Sequence, residues 1–172
     1  MALLPILTIP DRRLKIKALP VATVDGKIAR LMDDMLETMY RAPGIGLAAP
    51  QVGVSSRVIV VDVSDHEKGP KKPLLMANPE IIGRSEQLCT AEEGCLSVPE
   101  YYAEVTRPAE VRVRYVDRNG SVQEFDADGL LATCVQHEIE HLEGTLFIDH
   151  LSSLKRNMIV RKLTKQKRDS AA

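Results

Sequence analysis

The chain has 172 residues, 44% hydrophobic and 27% charged, with a formal net charge of -1 at pH 7. That length suits one domain, residues 1–172, with a single core burying about two-thirds of its unfolded surface. The balanced charge excludes a global nucleic-acid or membrane signature, and three cysteines without a paired framework fit a reducing compartment rather than a disulfide-stapled module.

The start, Met1-Ala2-Leu3-Leu4-Pro5-Ile6-Leu7, is apolar but short, has no basic residues ahead of it and is broken by Pro5. It does not read as a signal peptide, and no apolar run reaches transmembrane length. Val24 to Tyr40 reads as a helix, with Ile28, Leu31, Met35, Leu36 and Met39 at three- and four-residue spacing and Arg41-Ala42-Pro43-Gly44 as its stop. The small-residue segment Gly44 to Gly53 comes next. Arg57 to Val63, rich in β-branched residues, predicts a buried strand. Leu74 to Ile82 predicts a second strand, interrupted at Asn78-Pro79. The segment Glu92 to Pro99 reads as a loop. Val111 to Tyr115 alternates apolar and basic residues, and the turn Asp117-Arg118-Asn119-Gly120 leads to Ser121–Phe125 to complete a hairpin. A second helix is expected from about Gly129 to Glu143, with Gly144 as the residue just past its end. A third, roughly Leu151 to Lys165, closes the chain. Together these predict an α+β fold of antiparallel β-sheets packed around a central helix, with a C-terminal helix. No repeat, low-complexity tract or linker divides it.

The second helix carries His137-Glu138-Ile139-Glu140-His141. Histidines four apart on a helix share a face, since 3.6 residues make a turn. Such a pair can hold one metal ion, and the glutamate beside the first can handle protons for its water. The bland alternative is two satisfied histidines and a solvated glutamate. Leu130, Leu131, Cys134, Val135, Ile139 and Leu142 make the helix apolar on several sides, and burying unpaired imidazoles there would be costly. Coordination of a cation resolves that cost.

Two histidines are an incomplete grip. His150 lies nine residues past His141 and beyond the Gly144 stop. Glu143 and Asp149 are carboxylate options without the long helical segment such sites use. Cys134 shares the face of His137, but lies about 7.5 Å back along the axis from a metal between the histidines, at 1.5 Å per residue. It reads as a small buried hydrophobe beside the site. Cys95 remains, with Gly94 allowing close backbone approach and Pro99 stiffening the chain beyond it.

Three segments in this order, GIGLAAPQVG at 44–53, EEGCLSVPE at 92–100 and QHEIEHLEG at 136–144, resemble the signature motifs of peptide deformylases. The similarity runs through the intervening segments and into the C-terminal helix. Each motif is weak alone, whereas the ordered triple is specific. The resemblance implies a cytoplasmic metal-dependent hydrolase of protein biosynthesis that removes the formyl group from the N-terminal formyl-methionine of new polypeptides and releases formate. A general zinc metalloprotease is the alternative reading of the helix motif.

Carried over position by position, the resemblance implies Cys95, His137 and His141 as metal ligands with water as the fourth. It implies Glu138 as the general base and acid when that water attacks the formyl carbon. It places oxyanion stabilisation on the Gln51 amide and the Leu96 backbone N–H. Substrate contacts fall on Gly44, Ile45, Gly46, Ala91, Glu93, Gly94, Leu130, Thr133 and Cys134. Tyr102 stands at the cleft rim where some members carry arginine, and Arg107 is expected to pair with Glu93 behind the metal loop. A thiolate among the ligands suits a softer or redox-active ion. The resemblance points to Fe2+, with Zn2+, Ni2+ or Co2+ as substitutes, and to air sensitivity of the ferrous form. It also implies a monomer that contacts neither membrane nor DNA. From Lys155 to Arg168 the tail has seven basic residues and no acidic one. A solvated helical face explains it, and so does docking on the ribosome through phosphate attraction.

Overall fold

A computed structural model describes residues 2–171. Five antiparallel strands form the central sheet: β1 (Gly46–Ala48), β2 (Val58–Val61), β3 (Leu74–Arg84), β6 (Val111–Val116) and β7 (Val122–Ala127), in the order β1-β2-β3-β6-β7. A separate hairpin pairs β4 (Leu88–Cys95) with β5 (Val98–Pro108). Helix α1 (Gly26–Arg41) covers one face of the sheet, α2 (Gly129–Leu142) the other, and α3 (Ser153–Ala171) closes the chain.

Strand β2 shows why the sheet is sandwiched. All four of its residues are buried. Val58 and Val60 pack with Met32, Met35 and Met39 of α1, while Ile59 and Val61 pack with Ala132, Val135 and Leu142 of α2. Alternate side chains point to opposite faces, so one short apolar run serves two layers. A third cluster joins Val98 and Val105 of β5 to Phe147 and Ile148 of a 3-10 turn and to Ile159 and Leu163 of α3. It seats the hairpin beside α2.

Helix α1 begins two residues later than the periodicity suggests, because the Asp25 carboxylate accepts the Ile28 N–H at 3.0 Å and caps it there. Strand β3 continues through Asn78-Pro79 where an interruption was expected. Asn78 takes a positive φ of 50°, its side chain bonds both Val21 N–H and C=O at 2.8 Å, and the register with β6 shifts between Ala77 and Glu80. The break is therefore a bulge. Helix α2 stops where Gly144, at φ 76°, lies just past its Glu143 cap. Helix α3 runs beyond Lys165 to Ala171.

The largest correction concerns Glu92–Pro99, expected as a loop. Its first half is the end of β4, and Leu96-Ser97 form a tight turn into β5. Pairing runs in register from Leu88↔Pro108 to Gly94↔Tyr102, then jumps to Cys95↔Val98. Three extra residues on β5, including Glu100 at φ 72°, are accommodated there. Such a bulge bends the strand and re-aims the side chain beside it, here Cys95.

Candidate metal centre and active site

Cys95 arrives from the end of β4, and His137 and His141 arrive one turn apart on α2. Their ligand atoms all lie within 4.8 Å of one another. Cys95 Sγ is 3.4 Å from His141 Nε2. His137 Nδ1 is engaged by Glu93 Oε1 at 2.9 Å, which orients the ring with Nε2 free for the cluster. Both histidines are buried, at 8% and 1% exposed. The other weighed residues lie elsewhere: Asp149 pairs with Lys15, Glu143 with Arg57, and His150 with Glu140. Cys134 is buried with its Sγ 3.6 Å from the Ile45 carbonyl, outside the ligand cluster.

Electrostatics favours a cation at this cluster. Burial pushes the His141 imidazole well below its usual value, helped by the charge of His137, so it is held as a neutral ligand. Burial also opposes charge on His137, but Cys95, Glu138 and Glu93 outweigh it and raise that group well above normal. Positive charge is thus wanted between the thiol and the carboxylates. Among the described residues, Glu138 Oε2 and His141 Nδ1 are buried without a hydrogen-bond partner. The soft sulfur, two imidazoles and an uncommitted carboxylate fit a divalent metal ion.

Around this cluster lies a cavity of about 280 Å³ lined by Pro43, Gly44, Ile45, Gly46, Gln51, Glu92, Glu93, Gly94, Cys95, Leu96, Tyr102, Leu130, Thr133, Cys134, His137 and Glu138. Its two long walls are strand edges, since β1 ends the five-stranded sheet and β4 belongs to the two-stranded one. A side chain at position 46 would collide with Cys134 Sγ and the Glu138 carboxyl, so a glycine is needed for β1 to pass this close to α2. Leu130, expected in a buried helix face, is 56% exposed at the mouth.

Glu138 is 3% exposed. Burial raises its carboxyl to about 7, with His137 pulling the other way. The Gln51 amide is fixed in orientation, because its Oε1 accepts the Ala48 N–H at 2.9 Å. Its Nε2 must then be the donor, aimed at Ser97 Oγ (3.0 Å) and Cys95 Sγ (3.5 Å).

Of the residues expected to contact substrate, Ala91 is placed differently. It faces Val105 on the hairpin, beyond the residues that line the cavity. Glu93 does line it, but both its oxygens are taken by Arg107 (Nε to Oε2 2.7 Å, Nη2 to Oε1 2.9 Å) and one also by His137. Glu93 therefore supports a ligand rather than offering a free contact, and it is held down at about 2 by those partners against its burial. Pro43, Glu92 and Ser97 were not expected at the site. Glu92 and Ser97 stand inside the second of the three motifs and Pro43 adjoins the first, so motif membership and neighbourhood were the signals available.

The family model described as Polypeptide deformylase matches residues 3–157. A peptide deformylase of Methylocella silvestris is 59% identical over 96% of this chain and 85% of its own length. One of Rhizobium meliloti is 55% identical over 96% of this chain and 94% of its own. The crystal structure of a peptide deformylase from Ehrlichia chaffeensis superposes with a TM-score of 0.93 at 40% identity, covering 99% of this chain and 100% of that one. None of these supports the general zinc metalloprotease reading.

Proposed function

Because the chain belongs to the polypeptide deformylase family, it is a hydrolase that removes the formyl group from N-terminal formyl-methionine, and we propose here which residues carry that reaction. The observation that carries the assignment is the convergence of Cys95, His137 and His141 beside a buried Glu138, whose Oε2 has no hydrogen-bond partner, at the wall of a strand-edged cavity.

We assign Cys95, His137 and His141 as the metal ligands. A divalent ion held there supplies Lewis acidity and a water of lowered pKa. Glu138 removes the proton from the attacking water and returns it to the leaving amine. Its buried carboxyl, with Oε2 free of hydrogen-bond partners, is placed both to accept that proton and to return it. Gln51 Nε2, held as a donor by the Ala48 N–H, and the Leu96 backbone N–H stabilise the formyl oxygen as negative charge grows on it. The peptide lies extended between the edges of β1 and β4, pairing with Gly44–Gly46 and Gly94. Its methionine side chain enters among Ile45, Leu130, Thr133 and Cys134.

Fe2+ is the proposed physiological ion, with Zn2+, Ni2+ or Co2+ able to replace it, since the thiolate makes the site softer than one built from imidazoles alone. We further propose that the chain, 1–172, acts as one cytoplasmic catalytic domain and as a monomer. No helix among the described residues is long and apolar enough to cross a membrane. Ribosome docking would use α3, where Lys155, Arg161, Lys162 and Lys165 are exposed while Ile159 and Leu163 are anchored in the core. Deleting the helix would strip that core, so charge reversal of the exposed lysines and arginine is the cleaner probe. Co-sedimentation with ribosomes that survives the reversal rules docking through this face out.

Turnover of formyl-Met-Ala-Ser by anaerobically purified protein, set against an unformylated peptide of the same length, tests the reaction. Cleavage of an internal bond in the unformylated peptide would refute it. Metal analysis of the same preparation tests the choice of ion.

A further inference from the structure

The three proposed ligands come from two elements that no covalent link holds at a fixed distance. Cys95 lies on β4, while His137 and His141 lie on α2. Whether they converge depends on how the hairpin is pinned to the helix. One tie is direct, from Glu93 to His137 Nδ1. The other is longer. Arg107 of β5 grips both Glu93 oxygens and extends Nη1 to Glu140 Oε1 on α2 at 2.5 Å. Glu140 adjoins His141 in sequence, so each helix ligand has one tie beside it. His150 Nε2, from the 3-10 turn, lies 2.9 Å from both Glu140 oxygens and fixes that carboxylate in turn.

Arg107 is 6% exposed and stands between two carboxylates. A guanidinium devoted to Glu93 alone would neutralise it and weaken its hold on the His137 N–H. Shared with Glu140, it leaves Glu93 more negative and the imidazole a stronger donor to a metal, the usual effect of a carboxylate behind a histidine ligand.

We propose that Glu140 is a positioning residue of the metal centre. Acting through Arg107, it holds the hairpin against the helix and keeps Glu93 available to orient His137. The inference rests on the metal reading of the Cys95, His137 and His141 cluster.

Cobalt(II) titration of the metal-free protein against a competing chelator tests it, followed by the thiolate-to-cobalt absorption band. Glu140→Ala is expected to weaken cobalt binding about 10- to 100-fold. Glu140→Gln, nearly isosteric and therefore safe for folding, is expected to show most of that loss because the charge is gone. Glu140→Asp is expected to recover much of it, and the metal-free Gln variant should melt somewhat below wild type while keeping its circular dichroism spectrum, so that the lost affinity is read on folded protein. Cobalt affinity of the Gln variant within about twofold of wild type overturns the proposal. If affinity is unchanged but formyl-peptide turnover falls, the positioning role fails and the hydrolase reading stands. A wild-type protein that binds cobalt without the thiolate band refutes the ligand assignment itself, and this inference with it.

Discussion

The two faces of the central sheet use the same strand for opposite ends. Toward α1, Val58 and Val60 meet three fully buried methionines, and the contact is almost wholly apolar. Toward α2, Ile59 and Val61 meet a helix whose buried residues include Gln136, His137, Glu138 and His141. The α1 face is held by packing that needs no partner beyond itself. The α2 face carries buried polar groups whose cost is met by ion pairs, by hydrogen bonds, and at the cluster by the metal proposed there. Stability and chemistry are thereby separated by the thickness of one sheet, and substitutions on the two sides should fail differently.

On the α2 face, loss of activity should come without loss of fold. The largest effect is expected from Cys95→Ser, which removes the soft ligand and with it metal and turnover together, while Cys134→Ser keeps both. Metal content after dialysis against a mild chelator reads the difference, and the reverse pattern would move the third ligand to α2. Next is Glu138→Gln, expected to lower kcat by about 10³-fold, within the range for a general acid–base. The variant should stay folded and metal-loaded, since the wild-type carboxylate leaves one oxygen without a partner. Turnover within tenfold of wild type would refute the role.

How much of this could be read in the chain differs between the faces for a physical reason. Helices declare themselves by periodicity, so α1, α2 and the side-by-side histidines were legible, and the rigid rise of a helix correctly set Cys134 aside from the ligand cluster. The hairpin was not. Half of β4 is solvent-exposed, including its Leu88-Cys89-Thr90 end, and the Leu96-Ser97 turn lacks the glycine and asparagine that usually mark one. Gly94 and Pro99, read as a close-approach residue and a stiffener of a loop, instead stand beside and within a bulge that aims Cys95. Resemblance to a family named Cys95 where pattern alone could only leave it standing. The Arg107–Glu140 clamp joins residues 33 apart through tertiary contact, and nothing local signals it.

On the α1 face, the fold should be what suffers. Met35→Ala opens a cavity in a fully buried position and is expected to cost about 3 kcal/mol. Denaturant melts should register that loss, while kcat on formyl-Met-Ala-Ser, measured well below the new midpoint, stays within about twofold. A matching fall in kcat would show that the faces are coupled through β2.

The same side holds one charged exception, and it gives the finest test. Asp62, 1% exposed at the end of β2, accepts hydrogen bonds from Tyr40 Oη (2.5 Å), Ser64 Oγ (2.5 Å) and the backbone N–H groups of Ser64 and Lys72. Burial works to raise its carboxyl, but these donors win and hold it at about 2, below the ordinary 3.8. A depressed native value means stability that is fully present above about pH 4 and lost as pH falls toward 2. The size is roughly 2 kcal/mol for a shift of this order. Asp62→Asn should therefore be less stable than wild type at pH 7 by up to that amount, and the gap should close between pH 4 and 2. A gap that stays constant across that window would mean the carboxylate matters for its shape and not its charge. The α1 face would then be apolar in its energetics as well as its appearance.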